Sequence, residues 1–167
     1  DDPKGNEFIE LLKGEGMLLD GIIQSSSRIT TTKFRVIGNN SQLLRVDEET
    51  TENLEEIYQE AIQNKVKEII QVNDVDVIIF QDYDKGVINA ELIKFVSKEA
   101  KEFDIPVVID PKKENFMHYK DVTLFKPNLK EIKDGLNTDF DENNDADIEI
   151  NVAKLQDELN ADMVLNT

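Results

Sequence analysis

The sequence predicts an α/β protein in which a mainly parallel sheet follows a β-hairpin. Short apolar runs near residues 76–80, 106–109, 122–125 and 162–165 are typical of buried strands. Stretches with helical spacing of apolar residues lie between most of them, and this alternation favours a parallel sheet covered on both faces. The third observation is the turn sequence at residues 38–41, which joins two β-rich stretches and predicts the hairpin.

The first fifty residues carry three predicted elements. Residues 6–13 have apolar side chains at helical spacing, and two glycines, Gly14 and Gly16, end that pattern. Residues 20–24 read as a short apolar strand. The hairpin region spans about 30–47, and its Lys33, Arg35 and Arg45 should face away from the apolar side chains.

The remaining region, about 51–167, alternates helices with apolar strands. A single apolar stripe predicts a helix over 51–71, and Asp76 to Phe80 reads as a strand buried on both faces. Asn89 is an expected N-cap for a helix over 89–102. We also expect a strand at 106–109, a strand at 122–125, a short helix from about Asn128, a helix at 146–160 and a strand from 162.

Composition restricts the classes of function. The formal net charge of −17 argues against nucleic-acid binding, because such a surface repels phosphate backbones. No run of apolar residues is long enough for a transmembrane helix, so we expect a cytoplasmic protein that does not contact membranes. Cysteine is absent, which excludes thiolate chemistry within this chain. The single histidine, His118, lies among apolar residues and reads as a loop or packing residue.

Polar and charged residues follow three of the predicted strands directly. The carboxyl ends of parallel strands meet at one edge of a sheet, and open α/β sheets bind ligands there. We therefore expect one site built from three clusters. The clusters are Asp82 with Lys85, then Asp110 with Lys112, and finally Lys126 with Asn128 and Glu131.

These residue types suit phosphate chemistry, although each has a structural alternative. The lysines offer point charges for phosphate oxygens, and Asp82 can accept hydrogen bonds from sugar hydroxyls. Asn128 and Glu131 could hold Mg²⁺ through water, since this ion keeps much of its hydration. Alternatively, Asn128 and Glu131 only cap a helix, and the chain is a non-catalytic acidic interaction domain. No P-loop or dinucleotide-binding glycine motif is present.

Several stretches taken in order resemble the ribokinase (PfkB) family of carbohydrate kinases. The resemblance is strongest to the kinase domain of the ADP-heptose synthases, and it covers nearly the whole chain. The stretches are Thr31 to Arg35, Asn40 to Asp47, Asp82 to Gly86, Ile109 to Lys112 with a following F-x-x-Y, and Lys126 to Glu131.

The resemblance implies a ribokinase-like three-layer sandwich and an ATP- and Mg²⁺-dependent kinase. The implied substrate is a sugar phosphate, D-glycero-D-manno-heptose 7-phosphate, phosphorylated at O1 for the lipopolysaccharide core. Asp82, Lys85, Asp110 and Lys112 would then bind the substrate. Lys126, Asn128, Glu131 and Thr167 would bind the nucleotide, and Asn128 and Glu131 the metal.

The family's glycine-rich sugar segment and its G-A-G-D segment are not found in residues 1–167. We therefore expect a partial kinase domain truncated at both ends, with the catalytic base beyond Thr167 and no turnover by this chain alone. Another PfkB-type sugar kinase is the main alternative. The edge-like hairpin also suggests self-association into a homodimer.

Overall fold

The computed structural model describes residues 1–167. Its helices and strands follow the predicted order, except that the strand expected at 20–24 is absent and a 3₁₀ turn is added at Phe116–His118. The helices are α1 (Pro3–Gly14), α2 (Glu56–Val72), α3 (Ala90–Glu102), α4 (Leu129–Leu136) and α5 (Asp145–Leu159). The strands are β1 (Thr32–Gly38), β2 (Ser41–Glu48), β3 (Ile78–Gln81), β4 (Val107–Asp110), β5 (Leu124–Phe125) and β6 (Met163–Val164).

Strands β1 and β2 form the predicted antiparallel hairpin. Asn39 and Asn40 both have positive φ, 50° and 59°, which is the backbone that a tight hairpin turn requires and that asparagine tolerates well. A four-residue apolar face is exposed on one side of the hairpin, whereas Arg35 pairs with Arg45 on the other. The apolar face consists of Phe34, Val36, Leu44 and Val46.

Strands β3 to β6 form one parallel sheet in the order β3-β4-β5-β6. A row of paired residues, Phe80, Ile109 and Phe125, points into the main core and is almost completely buried. Side chains from α2, α3, α4 and α5 all pack into this cluster, so the helices cover the same face of the sheet. The predicted α/β arrangement, a parallel sheet that follows a β-hairpin, is thereby confirmed.

The opposite face of the sheet is less well covered than the sequence predicted. The neighbouring row runs across all four strands through Ile79, Val108, Leu124 and Met163. Ile79 is 63% exposed and Met163 53% exposed. The prediction that β3 is buried on both faces is therefore wrong.

Two predictions for single elements are also wrong. Residues 20–24 form no strand, because the local backbone makes a turn in which Ile22 N–H donates to the Leu19 carbonyl at 2.9 Å. The second helix begins at Glu56 and not at residue 51, since the preceding segment contacts the loop after β3. None of the helices combines the length and the apolar character needed to cross a membrane.

Candidate functional site

The loops that carry the three polar clusters leave the parallel sheet at one rim, as the sequence predicted. Register brings Gln81 beside Asp110, and Ile109 beside Phe125, so the segments that follow these residues leave the sheet side by side. The Asp82 N–H donates to the Asp110 carbonyl at 3.1 Å and extends the pairing of β3 and β4 by one residue. The loops after β3, β4 and β5 therefore start from adjacent positions.

Asp110 and Lys126 join two of the clusters directly. The Lys126 ammonium lies 3.3 Å from Asp110 Oδ1, and both side chains are more than one third exposed. Such a solvent-accessible pair contributes little to stability. Both groups are therefore available to a ligand at small energetic cost.

Lys112 occupies a central position among the charges at this rim. Its ammonium donates to Glu131 Oε1 at 2.5 Å, and this hydrogen bond is the main reason that the pKa of Lys112 is raised. The carboxylates of Asp110 and Asp84 raise the pKa further through their charge. The Lys112 ammonium is thus paired with a carboxylate that follows β5, and the carboxylates of Asp84, after β3, and Asp110, at the end of β4, favour its charged form.

Asn128 and Glu131 form a complete capping box at the start of α4. The Glu131 N–H donates to the Asn128 side chain at 2.9 Å, and the Asn128 N–H donates to Glu131 Oε2 at 2.9 Å. The capping role predicted for these two residues is confirmed. A capping role does not exclude ligand binding, because each carboxylate oxygen keeps a second lone pair.

Thr167 is brought to the same rim by strand β6. The Leu165 N–H donates to the Phe125 carbonyl at 2.9 Å, and the Thr167 N–H donates to the Pro127 carbonyl at 3.1 Å. Thr167 therefore lies beside Pro127, the residue that precedes Asn128. The predicted nucleotide-side residues Lys126, Asn128 and Thr167 are grouped by this arrangement.

Asp82 sits behind the rim and not on it. Its side chain is 3% exposed, and its carboxylate accepts hydrogen bonds from the Tyr119 hydroxyl at 2.7 Å and the Asn115 amide at 2.9 Å. Burial, together with the hydrogen bond to Asp82, raises the pKa of Tyr119, so the phenol stays a donor. The Asp82 oxygens are thus engaged by protein groups.

Lys85 lies beside a cavity of about 620 Å³ that opens next to the loop after β3. Its ammonium donates to Glu49, just beyond β2, at 2.7 Å. The cavity wall is strongly polar and includes Asn53, Asp84, Lys85, Asn89, Asn115 and His118. Amide, carboxylate and ammonium groups in this number suit a ligand with many hydroxyl groups.

Sequence reasoning missed three residues of this region. Glu49 was not predicted as a site residue because its partner Lys85 is distant in the chain. Asn115 was not recognised, and Tyr119 appeared only as the last letter of an F-x-x-Y stretch. That aromatic spacing was the one available signal for a buried hydroxyl at this place.

No family model matches the chain, but its sequence is similar to those of several known proteins. The chain is 35% identical over 130 residues to the bifunctional protein HldE of Geobacter metallireducens, a match that covers 78% of this chain and 26% of that protein. It is 31% identical over 160 residues to HldE of Campylobacter jejuni subsp. doylei, which covers 95% of this chain and 32% of the relative.

Solved structures with the same fold include phosphofructokinase-2 from Escherichia coli in complex with fructose-6-phosphate. That comparison has a TM-score of 0.72 at 17% identity and covers 99% of this chain and 53% of the neighbour. The tetrameric inhibited form of the same protein gives a TM-score of 0.70 at 15% identity, over 98% of this chain and 53% of the other.

The predicted resemblance to the ribokinase (PfkB) family is confirmed. The chain spans about a quarter to a third of the HldE proteins that it matches, and about half of phosphofructokinase-2. At this level of identity the phosphofructokinase-2 comparisons establish the fold alone. The three clusters belong to the stretches that resemble the family, and the structure brings the loops that carry them together at this rim.

Proposed function

We propose that the chain is part of a kinase domain that transfers phosphate from ATP to a sugar phosphate. The observation that carries this proposal is the meeting of three strand ends at one rim, with Lys112 in contact with Glu131 and close to Asp110. Phosphoryl transfer depends on charges placed around the moving group, and this rim supplies them. The likeness to HldE supports the finer proposal that the substrate is D-glycero-D-manno-heptose 7-phosphate, phosphorylated at O1 in the cytoplasm.

We assign the residues to two sides of the rim. Lys85, Asp110 and Lys112 would face the sugar phosphate, and Asp82 would serve that side from behind the loop. Lys126, Asn128, Glu131 and Thr167 would face the nucleotide. The base that accepts the hydroxyl proton would come from sequence outside residues 1–167, so this chain alone is expected to show no turnover.

Mg²⁺ fits the oxygen donors of Asn128 and Glu131 by its chemistry. Magnesium prefers carboxylate and carbonyl oxygens and usually keeps several waters, so binding need not displace the capping hydrogen bonds. Such an ion would neutralise charge that develops on the transferred phosphate.

Glu131 provides the sharpest test, carried out in a longer protein that contains this chain. Glu131→Gln keeps an oxygen that can accept from the Asn128 N–H but removes the charge. We therefore expect turnover to fall by about tenfold or more while thermal stability changes little. Glu131→Ala, the matched comparison, should lower stability as well, because the capping box is lost.

The competing interpretation is a non-catalytic acidic interaction domain in which these residues only cap α4. The complete capping box is the observation that favours it. Under that interpretation Glu131→Gln would leave both turnover and stability unchanged. The substrate itself is decided by comparing turnover with heptose 7-phosphate, ribose and fructose 6-phosphate, because another sugar kinase of the same family would prefer one of the latter two.

We also propose that the protein self-associates through the hairpin. The exposed apolar face that includes Val36 and Leu44 is the kind of surface that associates in water, and it lies on a two-stranded element with free edges. Lysine at both positions should shift the longer protein to the monomer in sedimentation equilibrium. An unchanged oligomer would place the contact elsewhere.

A further inference from the structure

The carboxylate of Asp82 is the centre of a buried hydrogen-bond network. Asp82 Oδ2 accepts from the Tyr119 hydroxyl and the Asn115 amide, and Oδ1 accepts from the Asp84 N–H at 2.9 Å. Asp82, Asn115 and Tyr119 are 3%, 7% and 0% exposed. A buried carboxylate is stable only when donors surround it, and three donors meet that need here.

The network closes the loop at residues 82–88, which we call the β3 loop. The Asn115 amide donates both to Asp82, where the loop begins, and to the Ile88 carbonyl at 3.0 Å, where it ends. The backbone of Glu114 donates to the Asp84 carboxylate at 3.3 Å. Residues 114–119 therefore hold the start, the middle and the end of the β3 loop.

The conformation of the β3 loop needs such support. Asp84 has φ of 51° and Gly86 has φ of 70°, and the first of these is unfavourable for a residue with a side chain. A Cβ atom on Gly86 would lie 1.9 Å from the Glu52 carbonyl oxygen, so the loop is also pressed against residues 50–54. Residues 50–54 hold the second half of the loop, where the Leu54 N–H donates to the Gly86 carbonyl at 3.0 Å, and the Asp82 network holds the first half around Asp84.

The β3 loop forms part of the polar wall of the cavity. Asp84 and Lys85 line that cavity, and the charge of Asp84 reaches Lys112 at the centre of the rim. The position of these groups relative to a bound ligand thus depends on the buried carboxylate two residues earlier. A small shift of such groups is enough to weaken binding strongly.

We propose that Asp82, Asn115 and Tyr119 are positioning residues that set the β3 loop and so determine how tightly the sugar-phosphate substrate is held. This inference rests on the proposed kinase function. It assigns Asp82 an indirect role, acting through the loop, and gives Asn115 and Tyr119 a part in substrate binding.

The first experiment measures steady-state kinetics of Tyr119→Phe in the longer protein. Phenylalanine preserves the edge-to-face contact with Phe80, whose ring centroid lies 5.6 Å away, and removes only the hydroxyl. We expect KM for the sugar phosphate to rise on the order of tenfold, with KM for ATP unchanged. Equal KM values for the sugar phosphate in the variant and the parent would overturn the proposal.

Thr123→Val is the matched control for this substitution. The Thr123 hydroxyl accepts from the Val107 N–H at 3.1 Å, at the amino ends of the strands and away from the rim. Its removal also costs one hydrogen bond, partly buried and between neutral groups, so stability should fall, by less than in Tyr119→Phe. KM for the sugar phosphate should stay at the parent value; a rise in both variants would mean that lowered stability alone explains the effect, and would overturn the proposal.

A second readout does not depend on activity. Hydrogen exchange of the backbone amides of Asp84 and Glu114 reports the two N–H donors that belong to the network. Both should exchange faster in Tyr119→Phe and Asn115→Ala of this chain, and keep their protection in Thr123→Val. Unchanged protection would refute the claim that the Asp82 network orders the β3 loop. Absence of turnover in the unaltered longer protein would refute the kinase function but not the role of the Asp82 network. The exchange rates would still show whether the β3 loop depends on Asp82.

Discussion

Gly135 lies inside α4 against the ring of Phe116. Replacing a glycine by alanine within a helix usually stabilises a protein by about 1 kcal/mol. Here the added Cβ would meet two ring carbons at 2.2 Å, and Phe116 is 2% exposed and packs edge-to-face on Phe125. We therefore expect Gly135→Ala to destabilise the fold by about 1–3 kcal/mol, measured as a lower urea midpoint.

Gly14→Ala is the control for that substitution. Gly14 ends α1, and no heavy atom lies within 4 Å of a Cβ placed there. Its replacement should be neutral or slightly stabilising, because only helix propensity changes. If both variants had the same urea midpoint, the contact with Phe116 would not limit the size of residue 135.

Residue types alone were sufficient to locate several charged groups but not their partners. Lys112 and Asp110 could be placed at a strand end from the sequence because polar residues after an apolar run mark the end of a strand. The burial of Asp82 was not predictable, since its three donors come from Tyr119, Asn115 and a turn in its own loop. A partner that is distant in the chain leaves no local pattern.

At the scale of elements, the hairpin is tied to the parallel sheet by Glu49. This carboxylate, next to the end of β2, accepts from Lys85 at 2.7 Å and from Lys33 at 3.1 Å. These two hydrogen bonds, that of Lys85 first, lower the pKa of Glu49. The pairing is therefore present above the unfolded pKa of about 4.3 and is lost as pH falls through the lower folded value.

The expected consequence is a hairpin that moves more freely when Glu49 is neutral. The chain has no cysteine, so spin labels on cysteines introduced at Asn40 and Glu91 would be the only ones. At neutral pH, Glu49→Gln should broaden the distance distribution between these labels, and acid or about 0.5 M salt should broaden it in the parent.

Glu48→Gln gives the comparison for this prediction. Glu48 precedes Glu49, is exposed and makes no ion pair, so the distance distribution should match that of the parent. Similar broadening in both variants would show that net charge, and not the bond to Lys85, sets the hairpin position.

The two wrong predictions, a strand at 20–24 and a helix from residue 51, have a common cause. In both places the local structure depends on contacts with residues that are distant in the chain. Residues 51–55 have helical periodicity, yet the Leu54 N–H donates to the Gly86 carbonyl, and the Glu52 carbonyl accepts from Arg28 at 2.8 Å. These contacts keep the segment out of the helix, which begins at Glu56. Residues 20–24 contain the apolar pair Ile22 and Ile23 but have no neighbouring strand, and a strand without a partner leaves its backbone unpaired.

For the whole molecule, the sheet and its functional rim were largely predictable. Parallel strands must place their carboxyl ends on one side, so the meeting of the loops after Phe80, Ile109 and Phe125 followed from the fold class. Coverage of the sheet was not predictable, because apolar runs do not show which face a helix will cover. Helices α2 to α5 contribute to the core on one face, and the other face retains a row of apolar side chains.

That apolar row should make the isolated chain of 167 residues associate. Ile79 and Met163 are its most exposed members, and contiguous apolar surface of this kind favours contact between molecules. Ile79→Lys combined with Met163→Lys should therefore lower the sedimentation coefficient at high protein concentration. Ile150→Lys, which changes a 65% exposed side chain on α5, should leave it unchanged. If lysines at Val36 and Leu44 of the hairpin abolished association while the Ile79 and Met163 pair had no effect, the sheet face would not be the surface through which these chains meet.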